Sequence, residues 1–130
     1  MRLKLLSAGL AVFLVVGAAP AAAADCPVKP LEMDGIIAAV NAASNCDASM
    51  KIFEACQFGS TADVQFGAAV EKKCEGAFLS LLSTSRKRVY QDQLGRCDEK
   101  FADKQGTMWR SATAMCRAGI SQRYARRLGK

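Results

Sequence analysis

The chain has 130 residues, with eighteen Lys and Arg against twelve Asp and Glu for a net charge of +6, six Cys and no His. That length holds one domain with a modest core, and the lack of His excludes Ser-His-Asp and Cys-His catalysis. With no His and no C-x-x-C pair, neither a zinc site nor a thioredoxin-like redox site has its usual spacing, so no metal and no cofactor are expected.

Residues 1–24 have the three parts of a cleaved secretory signal: Arg2 and Lys4, then the apolar run Leu5 to Val16, then Ala22-Ala23-Ala24. Gly9, Gly17 and Pro20 shorten the strongly apolar part below the ~20 residues a membrane span needs. Asp25 directly before Cys26 does not fit a lipoprotein cleavage box. The expected mature protein is therefore a single domain over 25–130, periplasmic or secreted, with no transmembrane segment. All six cysteines lie in that part, and an even count in a small exported chain implies disulfides.

Pro27 and Pro30 keep the start of the mature chain extended. Met33, Ile36, Ile37 and Val40 then recur at helical spacing, and this helix should end near Ala43. Asn45 or Ser44 can cap a second helix with Cys46, Met50, Phe53 and Cys56 on one side, stopped by Gly59. Ser60-Thr61-Ala62-Asp63 has a hydroxyl with an acid three residues on and should open a third helix. Its stripe runs Phe66, Val70, Cys74, Ala77, Leu81, widened by Phe78 and Leu82. Ser83-Thr84-Ser85 offers the next cap, followed by Tyr90, Leu94, Cys97 and Phe101. Gly106 ends that helix, Thr107 can cap the last one, and its stripe is Trp109, Ala112, Cys116 and Ile120. Trp109 is expected in the core. No stretch shows the period-2 alternation of a strand. The expected fold is all-α, a small disulfide-stapled bundle of four to five helices.

Six cysteines allow 15 pairings. In an antiparallel helical hairpin, residues equidistant from the turn lie at one height. Cys97 and Cys116 are symmetric about the Gly106–Thr107 turn, and Cys46 and Cys74 are symmetric about Ser60. Those two pairs leave Cys26 for Cys56, which would tie the extended N-terminus to the second helix.

Charge is unevenly spread. Asp25 to Ser85 carries four Lys against eight acids; Arg86 to Lys130 carries twelve Lys and Arg against four acids. Arg123, Arg126, Arg127 and Lys130 share one side of a helix at i, i+3, i+4, i+7. An antiparallel hairpin brings them to the same end as Arg86, Lys87 and Arg88. These seven residues are the candidate binding site, and the expected partner is an acidic protein or an anionic envelope surface. Only Tyr90 and Tyr124 lie near the patch, too few stacking aromatics for a nucleic-acid site. Catalytic residues are not expected. The close carboxylate pairs are Glu71/Glu75 and Asp98/Glu99; Glu71 and Glu75, with Lys72 and Lys73 beside them, read as a solvated helix face, and a hydrolase built on Glu71 or Asp63 is the weakest of the three readings.

With Gln105, Trp109, Arg110 and Cys116 on a helix that follows a cysteine-bearing one, residues 90–124 resemble the small exported lysozyme-inhibitor-like family of bacteria. The resemblance implies a disulfide-linked helical envelope protein and carries over no functional residue. It supplies the alternative function, a lysozyme-type enzyme inhibitor. Lysozyme is itself cationic, so the contact would fall to the acidic half, Asp25 to Ser85.

Overall fold

A computed structural model describes residues 25–129; residues 1–24, where a secretory signal is expected, and Lys130 lie outside the described residues. The described chain is all-α, with α1 (Met33–Ala42), α2 (Cys46–Cys56), α3 (Ala62–Phe78), α4 (Thr84–Lys100) and α5 (Thr107–Leu128). A single 3-10 turn, Leu79–Leu81, follows α3. No described helix is long and apolar enough to cross a membrane.

Local chemistry explains most of the boundaries. The Asn45 side chain accepts a hydrogen bond from the Ala48 N–H at 2.8 Å and opens α2. Gly59, at φ +67°, takes the left-handed turn that separates α2 from α3. At α3 the cap lies with Ser60 and Asp63 rather than Thr61. The Ser60 hydroxyl accepts the Ala62 N–H, and the Asp63 carboxylate reaches back to the Ser60 N–H. Ser83 caps α4 by accepting the Arg86 N–H. Thr107 does not cap α5. It is the first residue of the helix, and Gly106 at φ +106° makes the entry without a side-chain bond.

Three disulfides staple the helices: Cys26–Cys56, Cys46–Cys74 and Cys97–Cys116, with Cα–Cα distances of 4.7, 4.6 and 5.8 Å. Cys46–Cys74 and Cys97–Cys116 are the pairs that equal height about a turn selects, and Cys26–Cys56 is the pair they leave. They run between the N-terminal segment and α2, α2 and α3, and α4 and α5. No described cysteine is free, which fits an oxidising compartment outside the cytoplasm.

The closest packing in the fold is between α3 and α5. Asp63 meets Ser111, Glu71 meets Arg117, and Phe78 meets Tyr124, so matched contacts climb both helices in one direction. The two run parallel, and α4, which joins them in the chain, runs back antiparallel to α5. Buried positions of α5 are Ser111, Ala114, Ala118, Ile120, Ser121 and Ala125, mostly small residues at +3 and +4 spacing. Gly67 faces this row, and a Cβ there would sit 2.9 Å from the Ala114 Cβ. Two backbones come this close only where side chains are small.

That geometry corrects the α5 stripe. Only Ile120 of the expected four is buried; Trp109, Ala112 and Cys116 are half-buried. On α3, Phe78 is buried in place of exposed Ala77, and Leu82 in place of Leu81, which is 62% exposed. Phe78 continues the +4 steps of Phe66, Val70 and Cys74 within α3, and the 3-10 turn that follows shifts the register so that Leu82 rather than Leu81 turns inward. The aromatic core has two parts. Phe53 and Phe66 pack edge-on near the α2–α3 turn, with exposed Phe58 edge-on against Phe66, and Phe78, Tyr90 and Tyr124 cluster at the opposite end.

Candidate functional site

The two ends of the bundle differ in chemistry. At one end lie the start of α4 and the end of α5, where Arg86, Lys87, Arg88, Arg123, Arg126 and Arg127 are all exposed. The disulfide Cys97–Cys116 and the Tyr90 hydroxyl, 2.8 Å from the Ser121 Oγ, set α4 antiparallel to α5 and bring both clusters to that end. Lys130 lies outside the described residues. Arg126 stands apart from the others. It donates to Asp47 on α2 at 2.7 Å, and Gln122, one turn earlier, donates to the same oxygen. The Arg126 hydrogen bond, then that of Gln122, holds the Asp47 carboxyl below the usual carboxylate range. Among the described residues, Arg86, Lys87, Arg88, Arg123 and Arg127 make no ion pair. α4 also has no acid in its first turn. Arg86 and Lys87 thus stand at the positive end of the helix dipole with no acid of that turn to offset them.

No protein-family model, no curated protein and no solved structure matches the chain.

At the other end, a cavity of about 630 Å³ opens between α3, the C-terminal turns of α4, the loop to Gly106 and the first turns of α5. Trp109 is in its wall rather than in the core. Its ring stacks on Phe101 with centroids 5.5 Å apart and planes at 30°. Sequence periodicity placed Trp109 on an apolar stripe, but α5 turns its small-residue face to α3 and leaves the indole half-exposed. Arg117 crosses the cavity. It donates from Nε and Nη2 to the two oxygens of Glu71, at 3.1 and 3.0 Å, and from Nη1 to Asp98 at 2.7 Å. Burial disfavours the charged guanidinium, but Glu71 and then Asp98 more than compensate, and the Arg117 proton is held more tightly than usual.

The carboxylates singled out for hydrolysis are occupied otherwise. Asp63 is fully buried and accepts four hydrogen bonds: the N–H groups of Phe58 and Gly59 at 2.8 Å, that of Ser60 at 3.3 Å, and the Ser111 hydroxyl at 2.6 Å. It ties the α2–α3 loop to α5 and presents nothing to a substrate. Both oxygens of Glu71 are held by Arg117. Glu75 accepts the Tyr90 O–H at 2.8 Å. Glu71 and Glu75 are therefore contacts between helices rather than a solvated face. Spacing along one helix cannot reveal this, since the partners lie 15 to 46 residues away.

Proposed function

We propose that this is a non-enzymatic protein of the periplasm or secreted space that binds an acidic protein or an anionic envelope surface. The contact is electrostatic and runs through Arg86, Lys87, Arg88, Arg123 and Arg127. What carries the reading is the placement of Arg86 and Lys87 at the wrong end of a helix for stability. Cations that only kept the chain in solution would serve as well on any exposed face. An unpaired cluster where the helix dipole is also positive makes a focused positive field.

Arg126 is an internal control, because Asp47 already takes its charge. Retention on vesicles of anionic phospholipid and on a polyanion resin should fall steeply as salt is raised. Replacing Arg86, Lys87 and Arg88 by Ala, or Arg123 and Arg127 by Ala, should move elution to much lower salt, and Arg126→Ala should move it less. Elution unchanged in both multiple variants overturns the reading.

Inhibition of a lysozyme-type enzyme through the acidic half has less support. Asp47, Asp63, Glu71 and Glu75 are all engaged within the fold, which leaves Asp25, Glu32, Asp34 and Glu54 as its exposed acids without such a bond. Muramidase activity measured with and without the purified protein separates the two readings.

A further inference from the structure

The cavity beside Trp109 lies at the opposite end of the bundle from the basic cluster and plays no part in that reading. We propose that it is a binding site for a neutral saccharide.

The first argument is shape. At about 630 Å³ the cavity falls within the range of small-molecule sites, roughly 300–1,000 Å³, and is far larger than a single ion requires. Its floor is made of small residues, because Gly67 and Ala114 bring α3 and α5 into near backbone contact. The second argument is the pairing of surfaces. Trp109 and Phe101 give one wall a broad aromatic face, and Arg117 with Glu71 and Asp98 gives a polar edge fixed by three helices. A sugar ring has the same two-sided character, with C–H groups on its faces and hydroxyls around its rim.

The third argument is charge. Lining carboxylates Glu71, Glu75 and Asp98 stand against the cations Lys72, Lys104, Arg110 and Arg117. With Arg117 spent on two of the acids, the cavity has no strong bias toward an ionic ligand. Hydrogen-bonding capacity does remain. Of the five N–H donors of a guanidinium, Arg117 uses three within the protein, and only one Asp98 oxygen is engaged. Fixed donors beside fixed acceptors suit hydroxyls, which are both at once. A hydroxyl is also matched without the loss of hydration that binding a charged group entails.

The sequence contains a single Trp, so its emission reports on this cavity alone. Chitotetraose, cellotetraose and maltotetraose are titrated into the mature protein, read by tryptophan fluorescence and by calorimetry. At least one should give a saturable change in both. Trp109→Ala, read by calorimetry, removes the aromatic face and should weaken binding roughly tenfold or more. Ala68→Met, at an exposed α3 position lining the cavity, fills space without removing a contact and should weaken it similarly. Helical circular dichroism and intact disulfides establish that both variants are folded. Replacing Arg123 and Arg127 by Ala should leave saccharide binding unchanged, so failure at one end of the bundle is read separately from failure at the other. No saturable response to any of the three sugars overturns the proposal. So does binding that either cavity variant leaves unaltered.

Discussion

Asp63 and Tyr90 are where single side chains do most to hold distant segments together. Asp63 is a buried carboxylate whose neighbours are all donors: three backbone N–H groups and the Ser111 hydroxyl. Asp63→Asn puts an N–H2 group among those donors and removes the charge that strengthens each bond. It should lower stability by about 3 kcal/mol in urea unfolding followed by circular dichroism. Tyr90 is fully buried and hydrogen-bonded to Glu75 and Ser121. Burial pushes its phenol well above the ordinary range, the Ser121 hydrogen bond works the other way, and Glu75 adds to the rise. The unfolded chain loses this proton near pH 10, while the folded protein keeps it to higher pH. Tyr90 thus contributes fully below about pH 10, and above it the unfolded state binds fewer protons, so stability falls as pH rises. Melting temperatures between about pH 8 and pH 11 should show that fall in the native sequence, and Tyr90→Phe should flatten it.

Among elements, the decisive contact is the parallel packing of α3 on α5. Gly67→Ala places a methyl 2.9 Å from the Ala114 Cβ and 3.1 Å from its carbonyl oxygen. The neighbour on the carbonyl side is backbone and cannot yield, so the helices must separate at a cost of about 1–3 kcal/mol. Thermal unfolding measures this loss, and adding Ala114→Gly should recover part of it by removing the closer clash. The start of α4 behaves in the opposite sense. Ser83 is its cap and Arg86 stands three residues on, where a Glu would complete a capping box and complement the dipole. Arg86→Glu should therefore raise stability by about 0.3–1 kcal/mol in the same assay while weakening retention on anionic vesicles. If retention is unaffected, Arg86 plays no part in binding.

At the scale of the molecule, the uneven charge has more than one destination. Part of it is consumed inside the fold: Arg117 and Arg126 of the basic half meet Glu71 and Asp47 of the acidic half. These pairs help join α3 and α2 to α5. Another part, Arg86 to Arg88 with Arg123 and Arg127, gathers at one end, while Lys104 and Arg110 lie in the cavity wall. The cavity opens at the other, walled by the half-exposed Trp109–Phe101 stack. The three disulfides tie the N-terminal segment to α2, α2 to α3, and α4 to α5, while α3 and α5 carry no disulfide between them and are joined by close packing, the Arg117–Glu71 pair and the Ser111–Asp63 hydrogen bond. Each bridge contributes about 2–4 kcal/mol by restricting the unfolded chain, which matters in a domain this small.

The sequence by itself determined what depends on short range and on count. Helical periodicity, Asn45 and Ser83 as caps, and Gly59 and Gly106 as breaks are local, so they were legible. Two of the disulfide pairs, Cys46–Cys74 and Cys97–Cys116, were legible as well, because hairpin geometry converts distance from a turn into height, and the third followed by elimination. Convergence of the two basic clusters follows from the same hairpin. Only the tertiary structure decided which face of α5 is inward, since that depends on α3 presenting Gly67 to a row of small residues rather than on the apolar stripe of α5 itself. This choice turned Trp109 outward into a cavity wall. It also paired Arg126 with Asp47 and Glu71 with Arg117, across separations of 79 and 46 residues. Side-chain pairing over such distances is fixed by how helices pack, and one helix's own spacing holds no record of it.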